Sequence, residues 1–146
     1  MSNEEFLLKN DEQLRELLTA TKRIAVLGIK PETHSGQPAF YVPKHMQDAG
    51  YEIIPVPVYY PEVTEILGQK VYRDLRDVPG EIDMVNVFRK SEDVAKHTEE
   101  LLAVKPKSVW FQLGITNDDV AEQLAAAGIK VVQNMCLMVE HRALMQ

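Results

Sequence analysis

The segment VLGIKPETHSGQP, residues 26–38, has the residue types of a turn that binds an anion. Gly28 follows a short apolar run, and Ser35 and Gly36 lie where a helix is expected to begin. The first N–H groups of a helix lack partners and the helix dipole is positive there, so phosphate can bind them. The fingerprints G-x-G-x-x-G and G-x-x-x-x-G-K-[ST] are both absent, which disfavours a dinucleotide or nucleoside triphosphate bound in the usual way. A sharp strand-to-helix connection without a ligand is the alternative.

Two cations could complete such a site. Arg89 directly follows the apolar run Val85–Phe88, and its planar guanidinium could bind phosphate through paired hydrogen bonds. Lys30, in the first turn, could approach the same anion. The alternative for both is an ordinary solvated side chain, which is the commoner fate of a lysine.

The run WFQLG, residues 110–114, ends in a polar side chain and a glycine. Gln112 could hydrogen-bond an amide, and Gly114 would let a chain-like ligand approach the backbone. For Trp110 we expect a position in the core.

Three roles are open for Cys136. It could be a buried small hydrophobic residue, a catalytic nucleophile, or a thiol near the reactive end of a sulfur-containing ligand. Catalysis would need a base, and His141 would point about 140° away on a regular helix, so the nucleophilic role is the least favoured. The four histidines are scattered without metal-ligand spacing, and we predict no metal site.

The elements that must carry these residues are short apolar strands. The expected strands are Ile24–Leu27, Tyr51–Val58, Met84–Phe88, Val109–Leu113 and Ile129–Val132. Their apolar runs are nearly continuous, as in strands of a parallel sheet that is buried on both faces. Because helical patterns separate most of them, we predict an open α/β fold with helices on both faces of the sheet.

Polar residues mark where two of these helices begin. Asn10 is the expected N-cap of a helix over residues 10–21, with Gln13 three residues later. Ser91 is the expected N-cap of a later helix. The residues that would share one face of that helix are Val94, Thr98, Leu101 and Leu102.

The two remaining helices differ in regularity. Asn117 is a typical N-cap, and Gly128 is a typical residue just beyond a helix end. The segment Gln37–Ala49 is less regular, because Pro43 lacks an N–H group and clashes with the preceding turn unless it lies in the first helical turn. We therefore expect a late start or a kink there.

Right-handed crossovers would place the turns after all five strands along one edge of the sheet. In open α/β folds, ligands bind beyond the carboxyl ends of the strands, near the point where the strand order reverses. The turns that this rule selects are Gly28–Pro38, Val58–Pro61, Phe88–Ser91, Gln112–Asn117 and Gln133–Cys136.

Length and composition restrict the class of protein. The 146 residues fit one domain, and 45% hydrophobic with 26% charged residues is typical of a globular protein in water. A formal net charge of −6 argues against broad binding to nucleic acid or to an anionic membrane. The first residues carry acids where a secretory signal carries basic residues, so we expect a cytoplasmic location. Cys136 is the single cysteine, which excludes an internal disulfide.

Taken in order, several stretches resemble a known family. They are IAVLGIKPE (24–32), YVPKHMQDAGYEIIPV (41–56), DMVNVFRKSEDV (83–94), SVWFQLGI (108–115) and AAAGIKVVQNMCLMVEHRAL (125–144). The chain resembles the small stand-alone CoA-binding proteins, relatives of the Rossmann-like CoA-binding domain in the α subunit of succinyl-CoA synthetase. The resemblance implies a single domain over residues 1–146, built on a Rossmann-like open parallel five-stranded sheet, that binds coenzyme A (CoA).

The resemblance also assigns residues to parts of the ligand. Near the phosphates would lie Gly28, Ile29, Lys30, Pro31, Ser35, Gly36 and Gln37. Val56 and Pro57 would flank the nucleotide, and Phe88 and Arg89 would lie beside it. The pantetheine path would be lined by Gln112, Leu113, Gly114, Asn134, Met135 and Cys136.

The chain departs from the family pattern at two places. Family members often read VNP where this chain has Val56-Pro57-Val58, and they often carry arginine at the position of Gln37. The first turn is also longer around Thr33–Gly36.

The function implied by the resemblance is binding of CoA or an acyl-CoA at the carboxyl edge of the sheet. The synthetase α subunit carries its phosphorylated histidine in a second domain, so we expect a non-enzymatic protein without ligase activity. The alternatives are an NAD(P)-binding oxidoreductase-like domain and a ligand-free regulatory interaction module. Cys136 could form a mixed disulfide with CoA under oxidation. The segment Leu137–Leu144 could join a homodimer interface or simply close the sheet.

Overall fold

The structure is a computed structural model, and it describes residues 3–145. The helices are α1 (Asp11–Ala20), α2 (Pro38–Asp48), α3 (Thr98–Val104), α4 (Asp118–Ala126) and α5 (Leu137–Leu144). The strands are β1 (Arg23–Leu27), β2 (Glu52–Val56), β3 (Glu65–Ile66), β4 (Gln69–Lys70), β5 (Met84–Val87), β6 (Ser108–Phe111) and β7 (Lys130–Val132). Short 3-10 segments cover Glu4–Phe6, Glu32–His34, Leu75–Asp77 and Ser91–His97.

Five parallel strands form the central sheet, in the order β2-β1-β5-β6-β7. This confirms the predicted Rossmann-like α/β fold. The second strand is shorter than predicted at both ends, since it covers Glu52–Val56 and not Tyr51–Val58. Strand β2 lies on one side of β1, and β5 lies on the other side. The strand order therefore reverses between β1 and β5. That position is where a ligand of an open α/β fold is expected.

Both faces of the sheet are buried, because side chains alternate between two cores along each strand. Ile24 and Val26 of β1 pack with α1, α2 and α5, whereas Ala25 and Leu27 pack with α3 and α4 on the opposite face. The nearly continuous apolar runs in the sequence follow from this arrangement. Trp110 is fully buried on the first of these faces, as predicted.

Two of the predicted helix starts are confirmed. The Oδ1 atom of Asn10 accepts a hydrogen bond from the N–H of Gln13 at 2.8 Å, and the Gln13 side chain accepts one in return from the N–H of Asn10. Asn117 caps α4 through the N–H of Val120 at 3.1 Å. Gly128 follows the end of α4 with a φ of +83°. These signals are local, so no tertiary contact is needed to produce them.

The predicted cap at Ser91 is wrong. The chain forms a 3-10 segment from Ser91 to His97 before α3 begins at Thr98. The hydroxyl of Ser91 instead accepts a hydrogen bond from the N–H of Thr116 at 3.0 Å. A 3-10 helix has about 3.0 residues per turn instead of 3.6, so the predicted helical face does not persist, and Leu102 is exposed.

Of the late start or kink expected within Gln37–Ala49, the late start is wrong, because α2 begins at Pro38 and continues past Pro43; the kink stays a prediction. Pro43 has no N–H to donate to the carbonyl of Ala39, four residues earlier. That carbonyl accepts the N–H of Lys30 instead, at 3.1 Å. The missing helical hydrogen bond thus leaves an acceptor that ties the turn after β1 to α2.

The pair β3–β4 was not predicted from the sequence. Leu67 and Gly68 connect the two strands, and both have positive φ values, +55° and +72°. Such a turn is usually signalled by Asn-Gly or Asp-Gly, and leucine at its first position gives no such signal. Helix α5 packs against α1 and α2, and its Leu137 is buried.

Candidate functional site

The turns after the central strands meet at Gly28. Its N–H donates to the carbonyl of Val56 at 2.9 Å, and the N–H of Phe88 donates to the carbonyl of Leu27 at 2.8 Å. Gly28 has a φ of +89°, and a Cβ at this position would lie 2.3 Å from the carbonyl oxygen of Phe88. Only glycine fits here, so the backbone after β1 can approach that of β5 at the reversal of strand order.

The remainder of the first turn is more complex than the sequence suggested. A 3-10 segment, Glu32–His34, precedes the helix, so α2 begins at Pro38 and not at Ser35 or Gly36 as predicted. Ile29 and Pro31 are buried, whereas Ser35, Gly36 and Gln37 are exposed. The ammonium of Lys30 contacts the Oε1 atom of Gln37. Lys30 therefore lies at the helix N-terminus, as a phosphate site would require.

Arg89 is held almost entirely inside the protein, with 10% of its side chain exposed. Its Nε donates to the Nε2 atom of His97 at 3.1 Å. The Nδ1 atom of His97 is paired with Glu100, and the other carboxylate oxygen of Glu100 accepts the N–H of Leu75 at 3.0 Å. The carboxylate of Asp93 lies 4.0 Å from Nη2 of Arg89, which is beyond hydrogen-bond distance.

His97 and Glu100 were missed by the sequence reasoning. They are three residues apart but belong to different helical segments: His97 ends the 3-10 segment and contacts Arg89, and Glu100 in α3 contacts His97. The available signal was weak: a histidine followed by an acid three residues later, in a segment just after the predicted phosphate-binding arginine.

Tyr59 lies on the outer side of Arg89. Its ring centroid is 5.9 Å from the Cζ atom of Arg89, and 65% of the residue is exposed. The guanidinium of Arg73 fixes this loop by donating to the carbonyls of Tyr59, Tyr60 and Val63 at 3.0, 2.8 and 2.7 Å. Val56 and Pro57, which were predicted to flank the nucleotide, are both buried. The residues after β2 that face the rim are therefore those that follow them.

A small cavity of about 60 Å³ connects these features. Its lining residues are Gly28, Ile29, Lys30, Val58, Tyr59, Tyr60, Phe88 and Arg89. We call the surface formed by residues 28–37, 58–60 and 88–89 the arginine half of the rim. A larger cavity of about 710 Å³ lies at the amino end of the sheet. Arg23 lines this cavity, but its guanidinium is paired with the carboxylate of Glu52 at 2.9 Å and is not available to an anion in the same way.

The rest of the predicted site, residues 112–114 and 134–136, forms the cysteine half of the rim. Gln112 is 4% exposed, and its Oε1 atom accepts from the N–H of Leu137 at 3.3 Å and from Nδ2 of Asn86 at 3.4 Å. Asn134 has a φ of +59°, and its Oδ1 accepts the N–H of Gly114 at 2.7 Å. The side-chain oxygens predicted to face a ligand thus stabilise the turns themselves.

The backbone of this half is held in a similar way. The indole N–H of Trp110 donates to the carbonyl of Met135 at 2.8 Å, and the carbonyl of Cys136 accepts the N–H of Glu140 at 3.0 Å. Cys136 is half-buried at the N-terminus of α5, whereas Leu113 is exposed. The structure brings the thiol to the same edge of the sheet as the arginine half.

His141 is engaged elsewhere. Its Nδ1 atom lies 3.1 Å from Nε2 of His45 on α2, and the ring of Tyr51 packs edge-on against it. Burial and the charge of Arg142 lower the pKa of His45, while Asp48 acts in the opposite direction. Burial and the neighbouring His45 lower the pKa of His141. Both groups are therefore held towards the neutral form.

Within residues 3–145 no group of three or more His, Cys, Asp or Glu side chains could hold a metal ion. The helices in this part of the chain are all too short or too polar to cross a membrane.

A family model described as a CoA binding domain matches residues 22–142. The chain belongs to this CoA binding domain family. The uncharacterized protein YneT of Bacillus subtilis (strain 168) is 40% identical over 131 residues, which are 88% of this chain and 92% of YneT. Membership confirms the resemblance inferred from the sequence, and it associates the domain with CoA.

Solved structures agree with this family fold. One, described as the structure of cell-free ID.343 from Thermus thermophilus, is 38% identical, has a TM-score of 0.85, and covers 93% of this chain and 99% of its own. A hypothetical protein from Pyrococcus horikoshii OT3 is 33% identical, with a TM-score of 0.84 and 94% of both chains covered. This chain thus spans nearly the full length of both similar chains.

Proposed function

We propose that the protein binds CoA or an acyl-CoA along the carboxyl edge of its sheet. The nucleotide and its phosphates lie on the arginine half of the rim, and the pantetheine arm extends across the cysteine half towards Cys136. The observation that supports this most directly is the backbone contact at Gly28. The contact holds the first turn against the end of β5 at the reversal of strand order, which brings the start of α2 and the nearly enclosed Arg89 to one place where an anion can bind.

The electrostatics of the arginine half support the same assignment. Lys30 and Arg89 lie at the same small cavity, and the N-terminus of α2 adds a partial positive charge. The protein as a whole carries a formal net charge of −6, and the Asp93 carboxylate lies 4.0 Å from Arg89, so attraction for an anion must come from Lys30, the Nη groups of Arg89 and the start of α2. An anionic nucleotide end would bind here, and the neutral pantetheine arm would need no comparable charge.

We also propose that the protein has no ligase activity of its own. The side chains of its histidines are engaged with the protein: His34 contacts Tyr60, His45 contacts His141, and His97 contacts Arg89. His34 belongs to the arginine half of the rim, and both of its ring nitrogens are paired there, with Thr33 and Tyr60.

Calorimetric titration of the purified protein with CoA, acetyl-CoA, NAD and NADP tests the proposal. We expect one CoA per chain, with no heat from either nicotinamide cofactor. Binding of NAD or NADP in preference to CoA would replace the proposal by the oxidoreductase-like alternative. No binding of any of the four compounds would favour the regulatory module. Size-exclusion chromatography in the same buffers tests whether Leu137–Leu144 joins a homodimer interface, for which the exposed Val139 on α5 is a candidate contact.

A further inference from the structure

We propose that His97 and Glu100 are positioning residues for Arg89, and that they orient its guanidinium towards the anionic end of the ligand. This inference rests on the proposed function. It concerns two residues that neither the sequence motifs nor the cavity at the rim include. Its basis is a chain of hydrogen bonds that begins at Leu75 and ends at the arginine.

The chemistry of the side chains assigns a direction to this chain of hydrogen bonds. The Nε of arginine always carries a hydrogen, so His97 must accept at Nε2. A neutral imidazole then carries its hydrogen on Nδ1, where it donates to the carboxylate of Glu100. Each member thereby fixes the orientation of the next, as a carboxylate fixes a histidine in other polar sites.

The three side chains are nearly enclosed. Exposed fractions are 10% for Arg89, 14% for His97 and 11% for Glu100. Because these groups are shielded from water, hydrogen bonds among them are stronger and more directional than the same contacts on a surface. The second oxygen of Glu100 is held by the N–H of Leu75, so the carboxylate itself cannot rotate freely.

His97 occupies the Nε of Arg89, and the Asp93 carboxylate lies 4.0 Å from Nη2, beyond hydrogen-bond distance, so the two Nη groups can donate to a ligand. Among the described residues, His97 is the hydrogen-bond acceptor for this side chain, and it uses Nε. The Cδ atom of Arg89 lies 3.4 Å from the position that a Cβ of Gly28 would take, so the side chain passes directly beside the first turn. Its two Nη groups are the pair that binds phosphate through two parallel hydrogen bonds.

A double-mutant cycle tests the inference. We expect His97→Ala to weaken CoA binding about tenfold, since it removes one hydrogen bond that orients a charged group. Binding of pantetheine, which carries no nucleotide, should not change. In the Arg89→Ala background, His97→Ala should have no further effect on CoA, because its role acts through the arginine. His97→Gln should restore much of the affinity, because its amide can accept from Arg89 and donate to Glu100.

Two results would overturn the inference. One is a CoA affinity in His97→Ala equal to that of the wild type. The other is the same loss of CoA affinity from His97→Ala in the wild-type and in the Arg89→Ala background. His45→Ala serves as the control histidine, and thermal unfolding confirms that each variant is folded. If His97→Ala does not fold, Glu100→Gln provides the same comparison, with a smaller expected loss of CoA affinity. Unchanged CoA affinity in that variant would equally contradict the proposal.

A measurement without ligand separates this inference from the proposed function. Hydrogen exchange at the Nε–H of Arg89, followed by NMR, should be slow in the wild type and fast in His97→Ala. If the wild type binds no CoA, the proposed function fails, while slow exchange that depends on His97 still supports the positioning role. Fast exchange in the wild type would refute the positioning role even if CoA binds.

Discussion

The two halves of the rim use similar residue types in different ways. In the arginine half, Arg89 is bound by the protein through one edge, and Tyr59 is held in place with its ring exposed. In the cysteine half, Gln112 and Asn134 direct their oxygens to backbone N–H groups of neighbouring turns. The arginine half places a nearly enclosed cation beside an exposed aromatic ring, whereas the polar groups of the cysteine half hold its own turns together.

This difference matches the chemistry of the proposed ligand. An anionic nucleotide gains most from fixed cations and helix termini, because a charged hydrogen bond is roughly twice as strong as a neutral one. A flexible neutral arm gains mainly from a surface of fixed shape. We therefore expect the arginine half to determine affinity, and the cysteine half to determine the path of the arm and the stability of the edge.

The largest effect is expected from Gly28→Ala. The new Cβ would collide with the carbonyl oxygen of Phe88, in a backbone conformation that already disfavours any other residue. We expect a loss of about 2 kcal/mol or more in the free energy of unfolding, together with loss of CoA binding. Urea unfolding and calorimetry measure both.

Gly36→Ala is the matched control in the same turn. Among residues 3–145, apart from Gly36 and its two chain neighbours, no heavy atom lies within 4 Å of the position its Cβ would take. We expect its free energy of unfolding to differ from that of the wild type by about 0.5 kcal/mol or less. Equal effects of the two substitutions would show that the approach at Gly28 is not special.

Arg89→Ala should weaken CoA binding about 10- to 100-fold, because a buried guanidinium that is held in place is removed from the phosphate site. Titration with pantetheine should give an unchanged affinity. Lys90→Ala, an exposed neighbouring cation, should have little effect. An equal loss of affinity for CoA and for pantetheine in Arg89→Ala would remove the distinction between the two halves.

Gln112→Ala tests the cysteine half. We expect it to lower the free energy of unfolding by about 1–3 kcal/mol, because the buried N–H of Leu137 loses its acceptor. Leu113→Ala, on the adjacent exposed residue, should change stability by about 0.5 kcal/mol or less. If Gln112→Ala leaves stability unaltered yet abolishes pantetheine binding, Gln112 is a ligand residue and the comparison fails.

The contact between His45 and His141 joins α2, which begins at the arginine half, to α5, which begins at the cysteine half. Because both pKa values are lowered from 6.5 in the folded protein, the unfolded chain binds more protons below that pH. The stability from this pair is thus fully present above about pH 6.5 and is lost as the pH falls through the lowered values. The free energy of unfolding, measured at a series of pH values, should fall less steeply towards acid pH in His45→Gln than in the wild type. Identical slopes of this free energy against pH in the two proteins would refute the role of the pair.

The smallest effect on affinity is expected from Cys136→Ser, although it should change the chemistry. With oxidised CoA, the Cys136 thiolate should attack the disulfide, forming a protein–CoA mixed disulfide and releasing one CoA thiolate. Mass spectrometry should detect the adduct in the wild type and not in Cys136→Ser. An adduct that persists in the variant would exclude this thiol, and the absence of any adduct would place the arm elsewhere.

Local signals in the sequence correctly predicted much of the fold. The five apolar runs correspond to the five strands of the sheet, and Asn10 and Asn117 cap their helices through residues only three positions away. Gly28 ends the first strand as predicted and lies close to the backbone of Phe88, whereas its approach to a ligand stays a prediction. These features depend on short-range geometry, which residue type and spacing express directly.

Other features depended on residues distant in the chain. Ser91 failed as a cap because Thr116 uses its hydroxyl, and the oxygen of Gln112 is used by Leu137, 25 residues away. The sequence alone therefore determined the alternation of strands and helices and the edge at which their turns collect. Only the tertiary structure decided which polar groups at that edge remain free for a ligand, because each hydrogen-bonding group is satisfied by whichever partner packing brings within reach.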